Sequence, residues 1–71
     1  FDDEYFMKLI VEYLKKFGKA SRKDIEGLLI NKLSDVLNDR QKANKIDYQL
    51  KKLKKNGKIK FNEDKFWVLI P

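Results

Sequence analysis

Apolar side chains recur along this chain at two different spacings, helical through its first two thirds and extended near its end. Tyr5, Phe6, Leu9, Ile10, Tyr13, Leu14 and Phe17 fall in pairs four apart, which makes one wide stripe on a first helix. Asp2 or Asp3 is expected to cap its start, Lys15 and Lys16 occupy its last turn, where the helix dipole favours cations, and Gly18 ends it. Gly18-Lys19-Ala20 then reads as a short connector. Ser21-Arg22-Lys23-Asp24 reads as a capping box, with Asp in place of the usual Glu or Gln, opening a second helix whose buried face is Ile25, Leu28 and Leu29. Gly27 in that helix is either a weak point or a place where another helix comes close.

A third helix is predicted over residues 39–56, with Asn38 or Asp39 as its cap and Asn56-Gly57 as its stop. Ala43, Ile46, Leu50 and Leu53 step by three, four and three residues, so they share one apolar stripe. At 100° per residue the face opposite carries Gln41, Asn44, Lys45, Tyr48, Lys52 and Lys55, with Lys51 on its flank. None of these is acidic. Between the second and third helices, residues 30–38 keep Leu33, Val36 and Leu37 at helical spacing, while Asn31 and Ser34 offer breaks. Either the second helix runs on or a short extra turn intervenes. The nine-residue gap exceeds the turn of about three to four residues in a compact helix-turn-helix.

Beyond Gly57 the period changes to two. Lys58-Ile59-Lys60-Phe61 alternates charged and apolar residues, residues 62–65 are polar and turn-like, and Phe66-Trp67-Val68-Leu69-Ile70 is a continuous apolar, β-prone run. A β-hairpin is therefore predicted to close the chain, with Trp67 in the core. One face of its second strand should pack on the helices. The other needs cover from the first helix, from further parts of the parent chain or from a second copy.

Length limits what this pattern can build. Seventy-one residues make a single domain, residues 1–71, and a chain this short buries only roughly 60% of the surface its unfolded form exposes. The acidic opening from Phe1 to Glu4 lacks the basic start of a signal peptide and suggests a piece of a longer protein. No apolar run approaches the roughly 18 residues of a membrane span, so no membrane partner is expected. The chain has neither Cys nor His, and Gly18, Gly27 and Gly57 stand alone rather than in a phosphate loop. Thiolate metal sites are thereby excluded, and neither an enzyme nor a cofactor is expected. Glu63-Asp64 at the hairpin tip reads as a solvated turn.

Charge sharpens the picture more than length does. Of a net +6, residues 39–61 hold nine basic side chains against two acidic ones, so the excess is gathered on the third helix and the strand after it. Positive charge gathered on one element is the footprint of a phosphate-binding surface. On this reading Gln41, Asn44, Lys45 and Tyr48 face base edges, while Arg22, Lys23, Arg40, Lys42, Lys51, Lys52 and Lys55 contact phosphates. Arg22 and Lys23 sit at a helix start, where free N–H groups attract anions, and are equally at home in solvent. The acidic tip of the hairpin would be repelled by phosphate. That leaves Lys58, Lys60 and Lys65 as the hairpin's contribution.

Three helices followed by a hairpin, with a basic third helix, is the order of an α+β winged helix-turn-helix domain. The runs Ser21-Arg22-Lys23-Asp24-Ile25-Glu26-Gly27-Leu28-Leu29, Leu33-Ser34-Asp35-Val36-Leu37, Gln41-Lys42-Ala43-Asn44-Lys45-Ile46 and residues 50–59 together resemble the C-terminal winged-helix module of bacterial RecG-like helicase-related proteins and AlbA-type ATP-binding transcriptional regulators. The resemblance implies a bacterial, cytoplasmic accessory domain that binds double-stranded DNA and is joined to other domains of its parent chain. The expected function is thus a DNA-binding module with the third helix in the major groove and the hairpin as wing. The alternative is a protein-interaction or homodimerisation module that docks through its apolar C-terminal strand or its first helix. RNA is a weaker third option, because the candidate aromatics for stacking on unpaired bases reduce to Tyr48, with Tyr5 or Tyr13 beside it.

Overall fold

A computed structural model describes residues 3–33 and 35–71, and it has three helices followed by a two-stranded antiparallel hairpin. Helix α1 spans Asp3–Phe17, α2 Arg22–Leu29 and α3 Asp39–Lys55, while strands β1 and β2 span Ile59–Phe61 and Trp67–Leu69. A single 3₁₀ turn, Ile30–Lys32, follows α2 directly. The short extra turn, rather than a longer second helix, is therefore what fills the first part of the 30–38 gap. Ser34, expected as a break there, lies outside the described residues. No helix among the described residues is long and apolar enough to cross a membrane.

Each helix is fixed at its ends by bonds the sequence provides. At α2 the Ser21 hydroxyl accepts from the Asp24 N–H at 3.1 Å and the Asp24 carboxylate accepts from the Ser21 N–H at 3.0 Å, closing the predicted capping box. The same device opens α3, where the Asn38 side chain accepts from the Gln41 N–H at 2.8 Å and the Gln41 Oε1 accepts from the Asn38 N–H at 2.9 Å. Asn38, and not Asp39, is the cap. At its far end, the Gly57 N–H reaches the Lys54 carbonyl and the Lys58 N–H reaches the Leu53 carbonyl, both at 3.0 Å. This pair of bonds needs a left-handed residue just past the helix, and Gly57 supplies it at φ +74°. Asp3 lies inside the first turn of α1 and its carboxylate binds Gln49 of α3. The other cap expected there, Asp2, lies outside the described residues.

The core is built from one row of each element. Phe6, Ile10 and Leu14 of α1, Ile25 and Leu29 of α2, Leu33 just after the 3₁₀ turn, Ile46, Leu50 and Leu53 of α3, and Ile59 of β1 are all buried. Burial of an aliphatic side chain of this size stabilises by about 1.5–3 kcal/mol. Phe17, expected on the same stripe as Ile10 and Leu14, is 57% exposed. Its angle on the helix is right, but the last turn of α1 extends past the layer that the other elements cover. Gly27 is exposed, and a Cβ added there would meet nothing within 4 Å, so no helix approaches it closely.

The segment expected as a plain connector does more. After Gly18 turns the chain at φ +84°, Ala20 pairs with Trp67: its N–H donates to the Trp67 carbonyl at 3.0 Å, and the Trp67 N–H donates to the Ala20 carbonyl at 2.7 Å. β2 is thus held on both edges at Trp67, by Ala20 on one side and by β1 on the other, in the register Ile59 with Leu69, Lys60 with Val68 and Phe61 with Trp67. Trp67 and Leu69 pack against the core, and the Phe61 and Trp67 ring centroids lie 5.0 Å apart. On the opposite face of β2, Phe66 is roofed by the Lys19 ammonium at 4.4 Å, while Ile70 remains 40% exposed.

Candidate nucleic-acid interface

Because Ile46, Gln49, Leu50 and Leu53 turn inward, the outer face of α3 is set by helix geometry. Gln41, Asn44, Lys45, Tyr48, Lys51, Lys52 and Lys55 are all exposed there, with Arg40 at the start of the helix and Lys42 half-buried on its flank. Two shallow grooves meet on this face. The first, of about 480 Å³, is lined by Asp3, Leu37, Gln41, Asn44, Lys45 and Tyr48. The second, of about 350 Å³, is lined by Tyr48, Lys51, Lys52, Lys55 and Asn56. Tyr48 belongs to both, so its ring divides an amide-bearing half of the helix from a lysine-bearing half. The Lys52 ammonium stands 5.7 Å from the Tyr48 ring centroid and 3.5 Å from its hydroxyl, so a positive charge lies beside the phenol.

Some of the predicted site residues already have partners. The Oε1 atom of Gln41 already accepts from the Asn38 N–H at the N-terminal cap, which leaves its NH₂ as the end wholly free for a ligand. Asn44 is then the amide lining the first groove whose oxygen and nitrogen are both unengaged among the described residues. Arg22 does not stand free at the start of α2. Its Nη1 is ion-paired with Asp47, its Nη2 donates to the Ala43 carbonyl at 3.3 Å, and its Nε lies 3.7 Å from Glu26. It ties the start of α2 to the flank of α3. Its neighbour Lys23 is exposed.

Three residues that shape this surface are not among the interface residues that the sequence predicts. Asp47 balances Arg22 beside the basic face. Gln49 is 1% exposed and donates through Nε2 to the Asp3 carboxylate at 2.7 Å. Asp3 in turn lines the first groove. Gln49 carried a visible signal, since it stands three residues after Ile46 and four before Leu53, at a polar position within the apolar stripe. Asp3 carried none, because 46 residues separate it from its partner. A scan against family models, a search of curated proteins and a search of solved structures find no match for this chain.

Proposed function

We propose that this domain binds double-stranded DNA as a winged helix-turn-helix module, with α3 in the major groove and the hairpin as its wing. One observation carries the reading. The exposed ionisable groups along the outer face of α3 from Lys45 to Lys55 are lysines arranged around a single tyrosine, preceded by an amide whose two ends are both unengaged. Lysines offer point charges to phosphates, and Asn44 offers the paired donor and acceptor that match adenine N6 and N7. The bond pair between Ala20 and Trp67 supports the reading as well, because it anchors the hairpin beside the helices as a wing requires.

Within this proposal the labour is divided. Asn44, Lys45, Tyr48 and the free end of Gln41 read bases, while Lys23, Arg40, Lys42, Lys51, Lys52 and Lys55 grip the backbone. Arg22 acts mainly by setting α3 against α2. Like the modules it resembles, the domain would serve a bacterial, cytoplasmic regulator or helicase-related protein and catalyse no reaction itself.

Titration of a labelled duplex, followed by amide chemical shifts and by affinity at several salt concentrations, tests the proposal. With about five phosphates neutralised, log affinity should fall with log salt at a slope of roughly −4 to −5. Shifts confined to residues outside 40–55, or an affinity indifferent to salt, would remove it. The alternative, docking of a partner or a second copy through the C-terminal strand, draws on Ile70, 40% exposed at the end of that strand, and on Phe61 of the neighbouring β1, 46% exposed. It requires association that grows with protein concentration and no response to DNA, which sedimentation at two concentrations separates from the first reading.

A further inference from the structure

We propose that Asp3, held in place by Gln49, makes the first groove select a base that carries an exocyclic amino group, cytosine or adenine. The inference rests on the DNA-binding reading above and deepens it. Gln49 is the starting point, as the one buried polar side chain among the described residues, 1% exposed at a position where leucine would continue the apolar stripe of α3. Burying an amide costs free energy unless its hydrogen bonds are kept. Here one end is kept: Nε2 donates to Oδ1 of Asp3 at 2.7 Å. The orientation of the amide follows from chemistry, because an ionised carboxylate only accepts and the NH₂ must face it. Its own Oε1 has no partner among the described residues, so the amide sits in a buried position that satisfies the carboxylate better than itself.

The consequence is a carboxylate fixed at the rim of a groove whose other polar groups include donors. Lys45 and the NH₂ groups of Gln41 and Asn44 line the same groove, and no oxygen of Asp3 lies within 4 Å of a lysine nitrogen among the described residues. Among the described residues the carboxylate's hydrogen bond is the one that Oδ1 accepts from Gln49, which leaves Oδ2 to accept from a ligand. On a basic surface this negative charge weakens contact with phosphate. What it adds is discrimination: an acceptor-only group pairs with the N4 amine of cytosine or the N6 amine of adenine in the major groove, and repels the O6, O4 and N7 acceptors of guanine and thymine. Gln49 is on this account a positioning residue, acting on DNA only through Asp3.

Selection from a randomised duplex library, run with the wild type, Asp3→Asn and Gln49→Leu, tests the inference, with thermal melting to show that each variant is folded. The wild type should enrich one position for cytosine or adenine. Replacing that base by its analogue without the amine, pyrimidin-2-one or nebularine, should weaken binding about tenfold, as loss of a charged hydrogen bond does. Asp3→Asn can still accept from Gln49 while presenting an NH₂ to the groove, so the preference at that position should invert toward guanine or thymine. Gln49→Leu should relax the preference and leave the salt slope unchanged. An identical preference in all three proteins, or an Asp3→Asn gain that is equal on every sequence, would overturn the inference while leaving DNA binding intact. A wild type that binds no DNA would overturn both.

Discussion

Replacing Asp47 with alanine sets two opposed effects on stability beside one on binding, and together they separate a structural tie from a reserve phosphate contact. The ion pair with Arg22 joins side chains that are 37% and 44% exposed, so solvent screens it, and its loss should cost only about 0.5–1 kcal/mol. Position 47 lies inside α3, where alanine is favoured over aspartate by roughly 0.5 kcal/mol or slightly more. The net loss of stability is then under about 0.5 kcal/mol, a fall in melting temperature of roughly 2–4 °C for a domain of this size. Binding should move in the opposite direction. The variant removes an acid from the flank of α3 and frees the Arg22 guanidinium, still within reach of the Ala43 carbonyl, for a phosphate. One further neutralised phosphate steepens the salt slope by about 0.9. Fluorescence anisotropy of a labelled duplex between about 50 and about 200 mM salt measures that slope over the range where affinity is most sensitive. The double variant with Arg22→Ala should return it to the wild-type value. A slope that does not change in Asp47→Ala, or one that steepens just as much without Arg22, would refute the claim that Asp47 holds Arg22 away from DNA.

Other consequences can be checked by denaturation, with Trp67 as the single tryptophan reporter beside the hairpin. Lys65 takes the left-handed conformation at φ +68° to close the turn in which its N–H donates to the Asn62 carbonyl, and Lys65→Gly should therefore stabilise the domain by about 0.5–1 kcal/mol. Gly27→Ala should stabilise by a similar 0.5–1 kcal/mol or so, because the position is helical, exposed and open to a Cβ; destabilisation would show that α2 is not an ordinary helix there. Asn38→Ala should cost about 1 kcal/mol by removing the acceptor for the Gln41 N–H, and amide exchange should speed up in the first turn of α3 before it does elsewhere.

Much of the architecture was legible from local pattern. The two periods, helical and then extended, mark all three helices and the hairpin, and the Ser21–Asp24 capping box and the Asn56-Gly57 stop follow from chemistry within a few residues. What escaped depends on distance. A helical wheel gives the angle of Phe17 and not the height of the core, so it could not show that the last turn of α1 overshoots. The same wheel fails at Val36, 88% exposed, because residues 33 and 35–38 are not helical and apolar spacing carries no meaning without the helix. The role of Ala20 was hidden for another reason. A single bridging residue has no period, and the apolar faces of β2 call for cover above and below the strand rather than for a hydrogen-bonding neighbour at its edge.

The basic face of α3 shows a subtler limit, because a wheel lists the side chains on a face without saying which are already occupied. Gln41 seemed a bidentate reader, yet the Asn-x-x-Gln spacing from Asn38 makes it a capping residue first, and that spacing was there to be seen. Arg22 seemed a phosphate contact at a helix start, but Asp47, 25 residues on, claims it. Each engagement takes a group from the surface and moves the weight of recognition to what is left: Asn44, Lys45 and Tyr48 in one groove, Lys51 and Lys55 in the other. The two grooves share only the Tyr48 ring, so Tyr48→Ala should damage both base preference and affinity, whereas Lys55→Ala should lower affinity alone and evenly on all sequences. If instead Lys55→Ala altered base preference as strongly as Tyr48→Ala, the division of α3 into a reading half and a gripping half would have to be abandoned.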